Sequence, residues 1–272
     1  MKETPQIDII IPTYNREKTI ERAVRSVLGQ TYDNIKVIIV DDGSTDGTEQ
    51  IINSIEDSRI RYYKLKKNGG AGYARNEGVN LASAEFIAFH DSDDAWRPDK
   101  LEKQMAYWNN HPEFSMIYCA YLSHHTDGGL AQMPYPGMPG ELEGDVFYSL
   151  LARNSIGTPT MVLRRECFLE CGGFDTSLKC LEDWEFALRF AHDYLIGYVD
   201  EVLLDVYRTV GSVSTEKGGY FEARCRIVAT YREELLKADL FDAVVSELLL
   251  KAEIGGVLDK VKRMLFLMLQ NY

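Results

Sequence analysis

The stretch FHDSDDAWRP, Phe89 to Pro98, sets Asp91, Asp93 and Asp94 within four positions, directly after the apolar run EFIAFH. Crowding three negative charges where a strand should end costs repulsion and desolvation. A divalent cation offsets that cost. Carboxylate oxygens are hard ligands suited to Mg2+ or Mn2+, and such ions usually bridge to substrate phosphates. Asp91 and Asp93 have the D-x-D spacing, which at a strand end lets both side chains point to one side. A solvated acidic turn, with Asp94 capping the next helix, explains the same residues without a metal, and Asp94 itself is read as structural.

Two more acidic clusters stand out. VDDGSTDGT carries Asp41 and Asp42 after a second apolar run, and Glu182-Asp183 opens LEDWEFALRFAHD. Asp183 precedes Ala187 and Phe190 by four and seven residues. A helix therefore sets it on the apolar side, looking into a pocket. Complementing a helix N-terminus is the simpler role for such an acid, and Glu182 suits it better. Between these clusters, NGGAGYARN offers a Gly-rich turn running into a helix, whose N–H groups and positive dipole end suit phosphate. Gly70-Ala71-Gly72 begins a dinucleotide pattern, but Arg75 stands where the third glycine belongs. The turn also follows the third strand rather than the first, so a Rossmann dehydrogenase is rejected.

The elements that must hold these residues alternate. Ile7–Ile11, Ile35–Val40, Arg59–Leu65 and Glu85–His90 are strand-like, rich in β-branched or aromatic residues. Ile20, Ala23, Val24, Val27 and Leu28 recur at helical spacing, with Asn15 as a candidate cap. Thr48, Ile51, Ile52 and Ile55 repeat the pattern, as do Leu101, Met105 and Trp108 after Pro98. Four such alternations predict an α/β fold with a mostly parallel sheet covered on both faces. Ligands in such sheets bind beyond the carboxyl ends of the strands, where both acidic turns fall. Gly128–Gly140 reads as a long loop. MVLRR reads as a strand, Arg165–Glu170 as a short helix and IGYVDEVLLDVYR as extended. After about Gly211 the chain is helical, with Phe221, Cys225, Val228 and Leu235 on one stripe.

Composition narrows the function. The chain has 272 residues, 45% apolar and 26% charged, which is the balance of a globular protein with a real core. A net charge of −12 argues against nucleic acid, whose binding needs a basic footprint. Five cysteines without a C-x-x-C pair predict reduced, mostly buried thiols. No run reaches the roughly 18 apolar residues of a membrane span, and the N-terminal apolar run is short for a signal peptide. The expected location is the cytoplasm.

IPTYNRE, VDDGSTDGT, NGGAGYARNEG, FHDSDDAWRPD, GGFD and LEDWEFALR occur in this order over roughly Ile7 to Ser214. Together they resemble an inverting glycosyltransferase of family 2, with the GT-A fold. The resemblance implies a domain over 1–214 and a C-terminal helical extension over 215–272. It implies that Pro12 and Tyr14 of the first turn, together with Asp41 or Asp42, hold the nucleotide base. Arg75 would lie near the base or diphosphate, Asp91 at the ribose, and Asp93 on a Mn2+ or Mg2+ ion. Asp183 would be the catalytic base. Tyr14 offers a flat face for stacking, and the same face suits packing on a helix. Asp42 suits a turn as well as a base. Many relatives carry a His after a Tyr-Arg pair; here VYRTVGSVS has Val210 there, which puts a third metal ligand in doubt.

The implied reaction moves a hexosyl group, with inversion, from a nucleotide-diphosphate donor, a UDP-sugar by preference, to a saccharide or lipid-linked saccharide. Gly128–Gly140 and Asn154–Thr160 would border the acceptor. Two other classes compete. A nucleotidyltransferase usually carries a Gly-rich loop after its first strand, which IPTYNRE lacks. A non-catalytic sugar-nucleotide binder would not need both Asp93 and Asp183. The terminal MLFLMLQNY, after Lys260, Lys262 and Arg263, suits a peripheral membrane contact, a homodimer or packing on the domain. The negative charge elsewhere favours the last two.

Overall fold

A computed structural model describes residues 4–208 and 217–271. Val210 and the expected boundary near Ser214 lie outside these residues. The elements run β1 (Ile7–Thr13), α1 (Ile20–Leu28), β2 (Ile35–Asp41), α2 (Thr48–Asn53), β3 (Ile60–Lys64), α3 (Ala71–Leu81), β4 (Phe86–Phe89), β5 (Ala95–Trp96) and α4 (Lys100–Asn110). They continue with β6 (Met116–His124), β7 (Leu130–Met133), α5 (Phe147–Ala152), β8 (Val162–Arg164), α6 (Arg165–Glu170), α7 (Glu182–Asp193) and β9 (Ile196–Tyr207). Four helices end the described chain: α8 (Lys217–Thr230), α9 (Arg232–Lys237), α10 (Phe241–Ile254) and α11 (Leu258–Asn271).

One sheet organises them, in the order β3-β2-β1-β4-β8-β6-β9-β5, with β7 added to β6. The first four neighbours are parallel, with Ile7 opposite Ile35 and Phe86. Here β1, β2 and β4 are buried and β-branched, as strands covered on both faces must be. Beyond β4 the sheet is mixed: β8 joins antiparallel, while β6 and β9 again run parallel to each other. The carboxyl ends of β1, β2, β4, β6 and β9 therefore share one edge.

Two apolar layers cover the sheet. One seats Ile20, Val24 and Val27 of α1 and Leu101, Met105 and Trp108 of α4 against Ile9, Ile39 and Ala88. The other runs from Ile10, Val40 and Phe89 through Ala74 of α3 and Phe186 of α7 into Phe221, Cys225, Leu248 and Leu265 of the terminal helices. The extension thus shares a continuous core with the sheet. Close approach shapes this layer: a Cβ on Gly78 of α3 would lie 2.4 Å from Ile10 Cγ2, so α3 packs tightly on β1 there only because Gly78 has no side chain.

Local readings shift in three places. Asn15 does not cap α1; it sits at φ 52°, and its Oδ1 accepts from Thr45 N–H at 2.8 Å, while Thr19 precedes the helix. Asn tolerates that left-handed conformation, which lets the first turn bend back onto the second. Asp94 does not cap a helix either. Its Oδ1 accepts from Tyr207 N–H at 3.0 Å, and Asp99 stands before α4. The Gly- and Pro-rich stretch contains β7, paired with Tyr121–His124. No disulfide links the five cysteines, and four of them are buried.

Candidate active site

The acidic turns and their partners gather at the shared edge of the sheet. The turn after β1 locks onto the turn after β2: Asn15 N–H donates to Ser44 Oγ at 2.9 Å and Arg16 N–H to Thr48 Oγ1 at 2.8 Å. Pro12 is buried at the end of β1, opposite Val40. Beyond it Tyr14 projects with 45% of its surface exposed, leaving its ring open on a rigid turn.

Asp41 and Asp42 both have neutral partners. Asp41 is fully buried; its oxygens accept from Ser44 N–H at 2.7 Å and from the Tyr62 hydroxyl at 2.6 Å. The oxygens of Asp42 accept from Gly69 and Gly70 N–H, each at 2.7 Å. Gly70 adopts φ 90°, which a glycine accepts without strain. These two amides of the Gly-rich turn therefore already face a carboxylate of the protein. Burial pushes Asp42 upward, its neighbour Asp41 adds to this, and the two amides oppose it. A ligand donor reaching Asp42 would relieve the same imbalance.

The turn after β4 has charged partners instead. Arg75, on α3, is 5% exposed and bridges Asp91 Oδ1 at 2.7 Å and Glu182 Oε1 at 2.8 Å. It ties the D-x-D turn to the first residue of α7. Asp93 pairs with Arg16 at 3.6 Å, and its backbone carbonyl accepts from Arg22. Arg22 also lies 4.0 Å from the Tyr207 ring centroid. Burial first, and then the charge of Asp91, hold Asp93 above the ordinary carboxylate range. Burial, Asp91 and Asp93 do the same, more strongly, to Asp94. His90, at the end of β4, is buried, lies tilted 4.8 Å from the Trp96 ring, and is kept neutral because burial pushes it down to about 3.

Asp183 occupies the first turn of α7. Leu181, just before it, takes the left-handed conformation at φ 59°, which is strained for a non-glycine. That bend turns Glu182 toward Arg75. Trp184 N–H donates to Asp183 Oδ1 at 2.7 Å, and the Trp184 indole donates to Leu150 O at 2.7 Å, pinning α7 to α5. From α8, the Arg224 guanidinium lies 4.1 Å over the same indole. Burial and the charge of Glu182 push Asp183 up to about 7, against the Trp184 amide and Arg75. The half-buried Tyr121, in the second half of β6, feels the charges of Asp183 and Arg208, and its ring lies against Gly157. Gly157 of the 154–160 segment therefore lies against a ring that feels the Asp183 charge.

The structure thus brings Arg75, Asp91 and Glu182 into direct contact, with Asp183 and Asp93 on either side, and Asp42 meets the turn that leads into α3. Arg75 is engaged by the protein rather than free for a phosphate. Sequence reasoning passed over Arg16, Arg22, Tyr121 and Arg224, and assigned Glu182 to the helix dipole alone. Arg16 had a visible signal, since it lies in IPTYNRE; the others are identified only by contacts distant in sequence.

No cluster of three or more His, Cys, Asp or Glu side chains able to hold a metal occurs among the described residues. One carboxylate still fits a cation. Asp93 is half-buried beside Asp91, is held above the ordinary range by desolvation and by that neighbour, and has Arg16 only at 3.6 Å. A dication there would relieve the repulsion, with diphosphate oxygens and water completing its shell.

Comparison with known proteins agrees with this geometry. The profile described as Glycosyl transferase family 2 matches residues 8–166. The chain belongs to glycosyl transferase family 2. The matched stretch contains the first turn, both acidic turns and Arg75, and ends before α7. WcaA of Escherichia coli, whose name assigns it to colanic acid biosynthesis, is 34% identical over 71% of this chain and 69% of its own length. An uncharacterised glycosyltransferase of Haemophilus influenzae is 29% identical over 69% of this chain, which spans 62% of that relative. TuaG of Bacillus subtilis, named for teichuronic acid biosynthesis, is 46% identical over 38% of this chain and 42% of its own. Among solved structures, Staphylococcus aureus TarS in complex with UDP-GlcNAc superposes with a TM-score of 0.68 at 24% identity, over 83% of this chain and 66% of that one. A Pyrobaculum calidifontis mannosyltransferase in complex with GDP-Man and Mn2+ gives 0.62 at 18% identity, over 97% and 74%. These superpositions establish the GT-A fold for this family member. No helix among the described residues is long and apolar enough to cross a membrane.

Proposed function

We propose that the protein transfers a sugar from a nucleoside-diphosphate donor, preferentially a UDP-sugar, to an acceptor hydroxyl with inversion, in the assembly of a polysaccharide or glycolipid. Asp183 is the observation that carries this reading. It is a carboxyl pushed up to about 7 by burial, set at a strained helix start, next to the bridge that holds the D-x-D turn. A base in that range can accept a proton at neutral pH and still be ionised often enough to act. The names of WcaA and TuaG support the polysaccharide context, and the TarS complex supports a uridine donor.

In this reading Tyr14 stacks on the base and Asp42 accepts from its N–H. Asp91 accepts from the ribose while Arg75 holds it in place. Asp93 would hold a Mn2+ or Mg2+ ion, which when bound would supply charge neutralisation at the diphosphate. Asp183 takes the proton of the acceptor hydroxyl as its oxygen attacks the anomeric carbon from the face opposite the leaving group. One bond forms to the acceptor oxygen, one breaks to the diphosphate, and the configuration inverts. Tyr121 and the 154–160 segment border the acceptor.

The test is release of free nucleoside diphosphate from a panel of sugar nucleotides with Mn2+, with and without saccharide acceptors. Release from a UDP-sugar, increased by an acceptor, is expected. If every sugar nucleotide stays intact while still binding, the protein is a binder and the proposal fails. Calorimetry adds the metal arm: UDP should bind more weakly after EDTA treatment, and equal affinity would remove the role given to Asp93.

A further inference from the structure

The last two helices carry a face that the domain leaves uncovered. Val261 and Leu265 of α11 are buried in the shared core at 1% and 6% exposure, which settles the packing of one side only. At 100° per residue, Lys262 and Phe266 stand together on the other side, as do Arg263 and Leu267. Phe266 is 60% exposed and Leu267 52%; on α10, Leu250 and Ile254, also four apart, reach 57% and 80%. Lys260, Lys262 and Arg263 are exposed, and none of them forms an ion pair among the described residues. On the outer side of α11 Asp259 opposes these cations, and on α10 the exposed Glu253 stands beside Ile254.

We propose that this face of α10 and α11 seats the protein on an anionic lipid surface. Bulky apolar side chains flanked by unpaired cations are what an interfacial helix presents to a membrane. The alternative occupant, a second copy about a twofold axis, would set these cations against the same cations. Anionic headgroups complement them instead. The net charge of −12 is carried elsewhere on the chain, so attraction is confined to this face and orients the molecule on the surface. Nothing here requires a spanning segment.

The experiment is co-sedimentation of the full chain with vesicles of phosphatidylcholine alone or mixed with phosphatidylglycerol, and it is independent of sugar transfer. Binding to the mixed vesicles, absence of binding to the neutral ones and release by high salt are expected. Each cation near such a surface contributes about a fivefold factor, so K260E/K262E/R263E should weaken binding by on the order of a hundredfold or more. F266S/L267S should weaken it as well, with less dependence on salt. Both sets alter exposed positions, and unchanged circular dichroism and melting confirm that the fold persists. Equal binding to neutral vesicles, no binding to anionic ones, or undiminished binding by the charge-reversed variant overturns the proposal. So does light scattering that finds a dimer split by F266S/L267S in a protein that ignores vesicles, which would assign the face to a second copy.

Discussion

After β2, Asp41 and Asp42 meet only neutral donors, the amides of Ser44, Gly69 and Gly70 and the hydroxyl of Tyr62. After β4, Asp91, Asp93 and Asp94 meet one another, Arg16, Arg22 and Arg75, and the Tyr207 amide. The residue types match and the roles differ. Neutral donors fix both carboxylates of the first turn, where burial and a single neighbouring acid raise Asp42 against its two amides. The second turn concentrates more negative charge than its arginines offset. Asp93 and Asp94 are both held above the ordinary carboxylate range by burial and by neighbouring acids. In the proposed mechanism a ligand balances that charge, and Asp183 on α7 is raised in the same way, by burial and by Glu182.

The largest expected effect breaks the comparison at Asp183. Asp183→Asn keeps the shape and cannot take a proton, so transfer should fall by on the order of 10²–10⁴ while nucleotide affinity changes little. In the unaltered protein kcat/KM should fall tenfold per pH unit below about 7, because the base must be ionised and its carboxylate fraction shrinks as pH drops. A near-normal rate for Asp183→Asn assigns the base elsewhere, with Glu182 next to be tried.

Next comes Arg75. Arg75→Met leaves the half-buried Asp91 and Glu182 without their shared cation, which should destabilise by up to about 3–5 kcal/mol, the cost at a fully buried pair, less what solvent screens. Adding Glu182→Gln should recover part of the loss, because one of the two stranded charges is then gone. Urea unfolding of the single and double variants measures both. If Arg75→Met is as stable as the parent, the bridge between the D-x-D turn and α7 is not structural. Arg75 would then be free for the donor, as the family resemblance first implied.

The contrast between the two arginine partners shows what could be read from sequence and what could not. β1, β2 and β4 were legible because apolar, β-branched runs bounded by turn residues have few other uses. Asp183 was legible as an acid on the apolar side of a helix start because Ala187 and Phe190, both buried, follow it at helical spacing. Asp91 and Glu182 are 16 and 107 residues from Arg75. No local pattern joins them; the contact exists only after α3 has packed on β1 and Leu181 has bent the start of α7. The same holds for Asp94, whose partner Tyr207 is 113 residues away. β7 hid inside a stretch rich in Gly and Pro, since its strand is defined by pairing with β6 and not by its own residues. The terminal helices looked separable because their motifs stop, yet Arg224 of α8 covers the indole beside Asp183.

A smaller effect sharpens the neutral side. Tyr62→Phe removes one of the two donors seen on Asp41 and leaves the Ser44 amide in place. A hydrogen bond to a charged group contributes about 1.5–3 kcal/mol, so stability should drop by that much while the dependence of UDP binding on metal stays as it was. A change in that dependence would mean that the two turns are coupled through the sheet.

The smallest effect concerns Asp94, which accepts the Tyr207 amide but ligates nothing in the proposed mechanism. Its carboxyl is pushed upward on folding, by burial first and then by Asp91 and Asp93. A group with a raised folded value contributes stability at low pH and loses it as pH rises through that value. Asp94→Asn keeps the acceptor for Tyr207 and removes the charge. Its melting temperature should therefore equal the parent's near pH 4 and exceed it near pH 8, by about 2–4 °C for each kcal/mol recovered. In EDTA the gain should be full. Added Mn2+ should shrink it, because a cation at Asp93 already stabilises the ionised Asp94. If Asp94→Asn melts lower at pH 8 with or without metal, the second acidic turn is balanced by the protein alone, and the difference drawn between the two turns is wrong.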